Sequence, residues 1–424
     1  MTSRPLRRVL CLFYYFPPTG GAGALRCLGY ARGLLARGWE PTVVTPAGTV
    51  YHTPGGDLLP ALPPGIRVQR TGNLEIRNLF SPLRWIGLAP ETIAALARTV
   101  SVPDYQAGWI PFAGREAGRL LASGSYDALL SSGAPWSAHL VARGLARRHR
   151  LPWLATFADE WSTATEVSPP SSLHRRLNRR LEGRVLREAS AVAIATATMA
   201  KRLAEAHPDI PARIDIVDNG YHEEDFAGKT RSPSERFTLL YGGSIYPTTD
   251  PSDALRSLAL LLERRPALRS RIRFRILGYR HPPFEALAAR LGLVDLLSLE
   301  GPRPHGDVVQ AMLDADVLVD ARAAHPSAAA MRPVKLFEYL RAARPVLGYY
   351  PPGEAADLMA PFAGCVRVDP GDAAAGARAL EDWLLRWEKG ELGTLPRPGI
   401  ERLSRSVQEG RLADLLDRIA GTGA

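Results

Sequence analysis

The sequence predicts an α/β protein of two Rossmann-like, doubly wound domains. Three observations lead there. Short apolar runs of strand length recur between helical patterns, as parallel strands covered on both faces require. The alternation occurs twice, divided by the polar, turn-rich stretch Ala227-Gly-Lys-Thr-Arg-Ser-Pro-Ser-Glu-Arg236. The 424 residues are 46% hydrophobic and 23% charged, the composition of a globular chain long enough for two or three domains.

The first series opens with Arg8-Val-Leu-Cys-Leu-Phe-Tyr-Tyr15, a buried-strand pattern. Pro17-Pro-Thr-Gly-Gly-Ala-Gly23 follows, then a helical pattern from Ala24 to Arg37 with Leu25, Leu28, Leu34 and Leu35 on one side. Gly38 ends it, and Pro41–Thr45 returns as a strand, which completes a βαβ unit with a glycine-rich crossover. Arg4, Arg7 and Arg8 ahead of an apolar run resemble a signal peptide, but the run is short and closes on Pro17-Pro18, so a first strand is the better reading. Turns are expected at Pro54-Gly-Gly and Pro63-Pro-Gly, and a short strand at Ile66–Arg70. Ile76–Pro90 mixes Leu79, Phe80, Trp85 and Ile86 with Arg77 and Arg84, a loop or helix with an exposed apolar edge. Strands follow at Ala128–Ser132, Trp153–Phe157, Ala191–Thr196 and Arg213–Val217.

Between them, Ser171–Ala189 is the clearest helix. Leu173, Leu177, Leu181 and Val185 recur every fourth residue, and six arginines, Arg175 to Arg187, cover much of the rest. The choice there is between a solvated face and contact with membrane or lipid phosphate. The second series places strands at Phe237–Tyr241, Arg271–Leu277, Leu296–Glu300, Asp316–Val319, Pro345–Tyr349 and Cys365–Val368. A last helix spans Ile400–Ile419. The expected domains are 1–222, a linker 223–236, a second domain 237–395, and a terminal helix segment 396–424.

Charge is unevenly placed. The net charge is +10, and residues 1–222 hold 26 Lys and Arg against 16 Asp and Glu, so the whole excess lies there. A basic half suits a polyanionic partner. No recognised nucleic-acid module, and no basic run interleaved with aromatics, favours nucleic acid. The three cysteines show no CxxC spacing and no disulfide framework, which fits a reducing cytoplasm. No apolar run reaches the ~18 residues of a membrane span.

The stretch richest in chemistry is Met331-Arg-Pro-Val-Lys-Leu-Phe-Glu-Tyr-Leu340. Pro333 suits the start of a helix, whose free N–H groups and partial positive charge accept a phosphate. Lys335 would add a mobile cation, and Glu338, one turn on, could accept from a ribose diol. The plain alternative is an amphipathic helix with a surface Glu–Lys pair. Gly20-Gly21-Ala22-Gly23 before a helix bearing Arg26 is a second phosphate candidate or a tight strand–helix turn. Asp159-Glu160-Trp161 follows a strand and is either a sugar-binding carboxylate pair or a helix cap. His139 is a catalytic or a structural histidine, Asn219-Gly220-Tyr221 a turn at the domain junction. Asp314-Ala-Asp316 is read as structural rather than as a metal site. No zinc spacing or Ser–His–Asp order stands out.

Taken in order, Tyr15-Phe-Pro-Pro-Thr-Gly-Gly-Ala-Gly23-Ala-Leu-Arg26, Asp159-Glu-Trp161-Ser, Asp218-Asn-Gly-Tyr221-His-Glu-Glu-Asp-Phe226, Tyr241-Gly-Gly243-Ser-Ile-Tyr246, Leu299-Glu-Gly301-Pro-Arg-Pro-His305 and Lys335-Leu-Phe-Glu-Tyr-Leu340 with Arg344-Pro345 resemble the family 4 glycosyltransferases. That resemblance implies the GT-B fold, two Rossmann-like domains facing a cleft, with the terminal helix segment packing back on the N-terminal domain. It implies a retaining hexosyltransferase without metal or other cofactor, with a nucleotide diphosphate sugar as co-substrate. The acceptor would be lipid-linked, polysaccharide or a small molecule, taken by the N-terminal domain. In that frame Gly20, Gly21, Gly23, Arg26, Arg332, Val334, Lys335 and Leu336 face the donor diphosphate, Glu338 the ribose, and Gly278, Gly301 and Pro302 the base. His139 and Asp159 are the catalytic candidates. The expected location is cytoplasmic, at the inner face of an anionic membrane, with polysaccharide biosynthesis as the setting. The pattern also departs from the family. Ala330 stands where a first motif glutamate is usual, and Ser244 and Thr249 where a cationic pair is. Those departures favour, as the alternative, a nucleotide-sugar-binding protein with lost or altered catalysis. An epimerase or phosphorylase on the same fold is a third class.

Overall fold

The computed structural model describes residues 7–47, 62–165, 170–210 and 214–421. The expected turn at Pro54 lies outside them, as does Arg213. The chain divides into two compact units, residues 1–218 with 406–424, and residues 219–405.

The first unit is built on a seven-stranded, wholly parallel sheet of order β3-β2-β1-β4-β5-β6-β7. Its strands are β1 (Arg7–Leu12), β2 (Trp39–Pro46), β3 (Arg67–Thr71), β4 (Ala128–Gly133), β5 (Trp153–Phe157), β6 (Ala191–Ile194) and β7 (Ile214–Ile216). The apolar runs become strands because each central one is covered on both faces; all residues of β4 and β5 are buried. The helices are α1 (Ala22–Leu35), α2 (Ile76–Phe80), α3 (Pro90–Val100), α4 (Ile110–Ser123), α5 (Ser137–His149), α6 (Ser172–Glu188) and α7 (Ala197–Ala206). The last helix of the chain, α14 (Arg405–Gly421), supplies Leu412, Leu415, Leu416 and Ile419 to the same core cluster as Val9, Leu28 and Leu34. Gly33 makes that packing possible: a Cβ there would lie 2.4 Å from Cβ of Glu409.

Helix α6 corrects one expectation. Its buried side carries His174, Glu182, Gly183, Val185 and Leu186, and Leu173 is exposed. The predicted face is displaced because buried polar groups with partners compete with leucines for the interior. His174 Nε2 lies 2.6 Å from the Thr99 carbonyl at the end of α3. Glu182 accepts from the Ser162 amide at 3.1 Å and its hydroxyl, and lies 2.8 Å from His207. Arg175, Arg176, Arg179, Arg180, Arg184 and Arg187 all face solvent. The segment after α2 is a 3₁₀ turn, Ser81–Ile86, in which Trp85 is 81% and Ile86 71% exposed.

The second unit holds a six-stranded parallel sheet of order β10-β9-β8-β11-β12-β13. Its strands are β8 (Phe237–Gly242), β9 (Ile272–Leu277), β10 (Leu297–Leu299), β11 (Val317–Ala321), β12 (Val346–Tyr349) and β13 (Cys365–Val368). The helices are α8 (Ser252–Arg264), α9 (Pro282–Arg290), α10 (His305–Asp314), α11 (Val334–Arg341), α12 (Glu354–Met359) and α13 (Ala373–Glu388). One core cluster joins α8, α9 and α13 to the sheet, another α10, α11 and α12. Residues 219–236, read as junction and linker, pack into this unit. Tyr221 pairs with Ser404, Ser232 N–H donates to Asp314 at 2.8 Å, and Arg231 reaches buried Asp316 at 2.5 Å. Asp314 and Asp316 are thus structural, and Asp316 also accepts from the Thr238 amide. The terminal segment divides at Arg405, not at 396, because Ile400 and Leu403 join the second unit's core.

Candidate functional site

In a parallel sheet every strand delivers its C-terminal end to one edge, where ligands bind. In the second unit that edge gathers the end of β8, Gly242-Gly243, beside Gly278 after β9, and the end of β11 beside that of β12. Gly278 is required by close approach, since a Cβ would lie 2.1 Å from the Gly243 carbonyl oxygen. Gly243 itself has φ +139°. Ser244 and Thr249 stabilise this turn: Ser244 Oγ accepts from Tyr279 N–H at 3.2 Å, and Thr249 Oγ1 from Tyr246 N–H at 3.1 Å. Gly301 follows β10 with φ +70°, and no atom lies within 4 Å of a Cβ there.

Helix α11 starts here. Pro333 precedes it and no side chain caps it. The Leu336 N–H is turned back to the Pro333 carbonyl at 3.1 Å. The amide donors remaining at this end are therefore those of Val334 and Lys335, so the expected contribution of Leu336 is corrected. The helix is held to the sheet by Tyr339, whose hydroxyl accepts from Gly242 N–H at 2.8 Å.

Lys335 is not the mobile cation the sequence suggested. Its ammonium is 2.6 Å from buried Asp320 at the end of β11 and 3.7 Å from the ring centroid of Tyr241. Burial pulls its pKa down, but the fields of Asp320 and Tyr241 outweigh that, and the net direction is up. Tyr350 donates to the other Asp320 oxygen at 2.5 Å. Arg332 is likewise paired, 2.6 Å from Glu354 at the start of α12, and its carbonyl accepts from Asn219 at 3.3 Å. Arg322, just past Asp320, has an Nε without a hydrogen-bond partner.

Glu338 lies one turn into α11, its side chain 12% exposed, with Oε1 3.5 Å from Nε2 of His305; the same nitrogen is 3.0 Å from Asp225. Burial raises the Glu338 pKa, and His305 opposes the shift. Asp225, His305 and Glu338 place donor atoms within 4.8 Å of one another, which is also the spacing of a metal site.

In the first unit the equivalent edge carries Gly20-Gly21-Ala22-Gly23, His139 and Asp159 after the adjacent strands β1, β4 and β5. Gly21 has φ +89° and no side chain caps α1, which leaves its first turn open toward an anion. A Cβ at Gly23 would sit 3.1 Å from the Tyr15 ring, and Arg26 is half-buried on α1. Asp159 is half-buried in a bend and caps no helix; α6 is capped by Ser171 instead. Glu160 pairs with Arg202 at 3.2 Å, and Trp161 stacks on Trp136 at 5.2 Å. His139 is fully enclosed. Its Nδ1 is 2.8 Å from Ser131 Oγ, which also accepts from Trp153 Nε1 at 2.8 Å, and its Nε2 has no partner. Burial pushes its pKa down to about 3. His139, a catalytic candidate from sequence, is here a neutral hydrogen-bonding group, because no charge near it offsets the cost of ionising it.

Asp320, Asp225, His305 and Glu354 were not singled out as site residues from sequence. Asp320 did leave a trace: a lone carboxylate inside the apolar run Val317-Leu-Val-Asp-Ala321 demands a buried partner.

Residues 21–220 match the family described as glycosyl transferase 4-like domain. Among curated relatives, D-inositol 3-phosphate glycosyltransferase of Thermobispora bispora is 31% identical over 157 residues, 32% of this chain and 37% of that protein. The protein of the same name from Thermomonospora curvata is 26% identical over 350 residues, 75% of this chain and 74% of that one. The match thus spans about a third of the first relative's length and three quarters of the second's. Among solved structures, sucrose-phosphate synthase from Thermosynechococcus elongatus covers 98% of this chain and all of its own, with TM-score 0.69 and 15% identity. Anabaena HepE in complex with UDP and glucose covers 97% and 100%, with TM-score 0.67 and 15% identity. The fold of the chain is that of GT-B glycosyltransferases.

Proposed function

We propose that the protein transfers a sugar from a nucleotide diphosphate sugar to an acceptor, with retention and without a metal. The observation that carries this reading is the uncapped start of α11 at the strand ends of the second unit, with Lys335 fixed beside it and Glu338 one turn further. Val334 and Lys335 N–H groups would hold the diphosphate, Arg322 and Arg332 would add charge, and Glu338 would take the ribose. Gly278, Gly301 and Pro302 line the edge where a base would lie. The UDP-bound state of HepE supports such a donor.

Departure of the nucleoside diphosphate places negative charge on the phosphates and positive charge on the sugar. Preorganised amides and cations stabilise the first without a proton donor, and so without acid catalysis by His139. Asp159 would instead contact the acceptor. The acceptor would be taken by the first unit. The curated relatives are named for an inositol phosphate, an anion that suits the basic residues 1–222. A lipid-linked or polysaccharide acceptor at an anionic membrane surface suits the exposed Trp85 and Ile86 and the arginine face of α6. No helix among the described residues is long and apolar enough to cross a membrane.

A calorimetric screen of nucleoside diphosphates and their sugars, repeated with Glu338→Ala, tests the donor site. Weaker binding at unchanged fold supports it, and equal binding removes the role of Glu338. Nucleotide release with candidate acceptors separates transfer from binding alone, the reading that Ala330, Ser244 and Thr249 favour.

A further inference from the structure

We propose that His305, held in place by Asp225, is a positioning residue that keeps Glu338 a carboxylate acceptor for a ribose diol. The inference rests on the donor reading above. Three segments distant in sequence meet here: the 3₁₀ turn Glu223–Phe226, the first residue of α10, and the middle of α11. A single nitrogen, His305 Nε2, faces both carboxylates, and one N–H cannot satisfy two acceptors. Asp225 has the shorter contact, 3.0 Å against 3.5 Å. The hydrogen therefore points first to Asp225, and Glu338 keeps its oxygens for a ligand while imidazole lies alongside.

A carboxylate as enclosed as Glu338 needs such company. Its neighbours are Asp225, which opposes ionisation, and His305, Lys335 and Arg405, which favour it. Lys335 is already committed to Asp320 at 2.6 Å, and Arg405 donates to the Gly220 carbonyl at 3.2 Å. The His305 side chain contacts Glu338 directly, at 3.5 Å. Its removal raises the proton affinity of Glu338, and a protonated carboxyl accepts a diol poorly.

The test uses the full chain with UDP, GDP and their 2′-deoxy counterparts, titrated calorimetrically between pH 5.5 and 8.5 in EDTA. The proteins are wild type, His305→Gln, Glu338→Gln and the double variant. Wild type should prefer ribo over deoxy by about tenfold, the value of one hydrogen bond to a charged group. In His305→Gln that preference should be smaller than in wild type at pH 5.5 and should rise with pH, with deoxy affinity within about twofold throughout. The double variant should be no worse than Glu338→Gln. A His305→Gln protein that keeps the wild-type preference at every pH overturns the proposal. So does equal loss of ribo and deoxy binding, which marks a shape role. A third overturning result is wild-type stabilisation by Zn²⁺ or Mn²⁺ that His305→Gln abolishes, because the histidine would then be a metal ligand. If wild type binds no nucleoside diphosphate, the donor reading itself fails and this one falls with it. If wild type binds and discriminates, only the role of His305 is in question.

Discussion

Replacing Lys335 by Met removes a buried ammonium and leaves Asp320 fully enclosed. Asp320 keeps the Tyr350 hydroxyl at 2.5 Å and the Ala321 amide at 2.9 Å. Breaking a buried pair from one side costs about 3–5 kcal/mol. The two surviving hydrogen bonds hold the figure near the lower end, and the Met thioether can still pack on Tyr241, so about 3–4 kcal/mol is expected. For a unit of this size that lowers Tm by roughly 6–16 °C. Scanning calorimetry of the variant measures it. Lys335→Met combined with Asp320→Leu removes both charges and should recover more than half of the loss. The pair's contribution has a definite pH sense. Lys335 has its pKa raised, so its stabilisation is complete below the unfolded value of about 10.4 and disappears only above the folded value. The deficit should thus be constant across neutral pH. A fall of less than about 3 °C, or strictly additive effects in the double variant, would refute the reasoning.

Other outcomes follow from the same geometry. Arg322→Ala should weaken nucleoside diphosphate binding about three- to tenfold in calorimetry while Tm moves by less than 1 °C, since its Nε has no protein partner. Gly33→Val places side-chain atoms where Glu409 packs, 2.4 Å from a Cβ, and should destabilise the first unit by about 1–3 kcal/mol with faster proteolysis near α14. His139 is held neutral, with its folded pKa at about 3. Between about pH 6.5 and 3 the unfolded chain therefore binds the extra proton, and stability falls with pH by up to about 1.4 kcal/mol per unit; His139→Gln should remove that slope in acid denaturation. Trp85→Ser with Ile86→Ser should reduce flotation with anionic vesicles, and reversing Arg175, Arg176, Arg179 and Arg180 to Glu should abolish its salt-sensitive part.

What the sequence revealed tracks how local each cause is. Trp153–Phe157 was read residue for residue, because an apolar run between turn signals has one buried solution in a parallel sheet. The start of α11 was legible because Pro333 suits the position just ahead of a helix. Lys335 was misread as mobile because its partner lies on β11, and sequence spacing does not report which strand end a helix faces. The interior side of α6 was misplaced for the same reason: His174 and Glu182 are buried by partners at Thr99, Ser162 and His207. The bridge of Asp225, His305 and Glu338 draws on three segments, and no pattern along one of them predicts it.

The core of the first unit draws Leu412, Leu415, Leu416 and Ile419 from α14, after the whole of the second unit in chain order. On a ribosome, the second unit therefore emerges complete while the first still lacks a wall. The nascent β1–α1 layer must wait, apolar side open, for the codons of α14 to be read. Loss of those codons would thus damage the half of the protein that was made first.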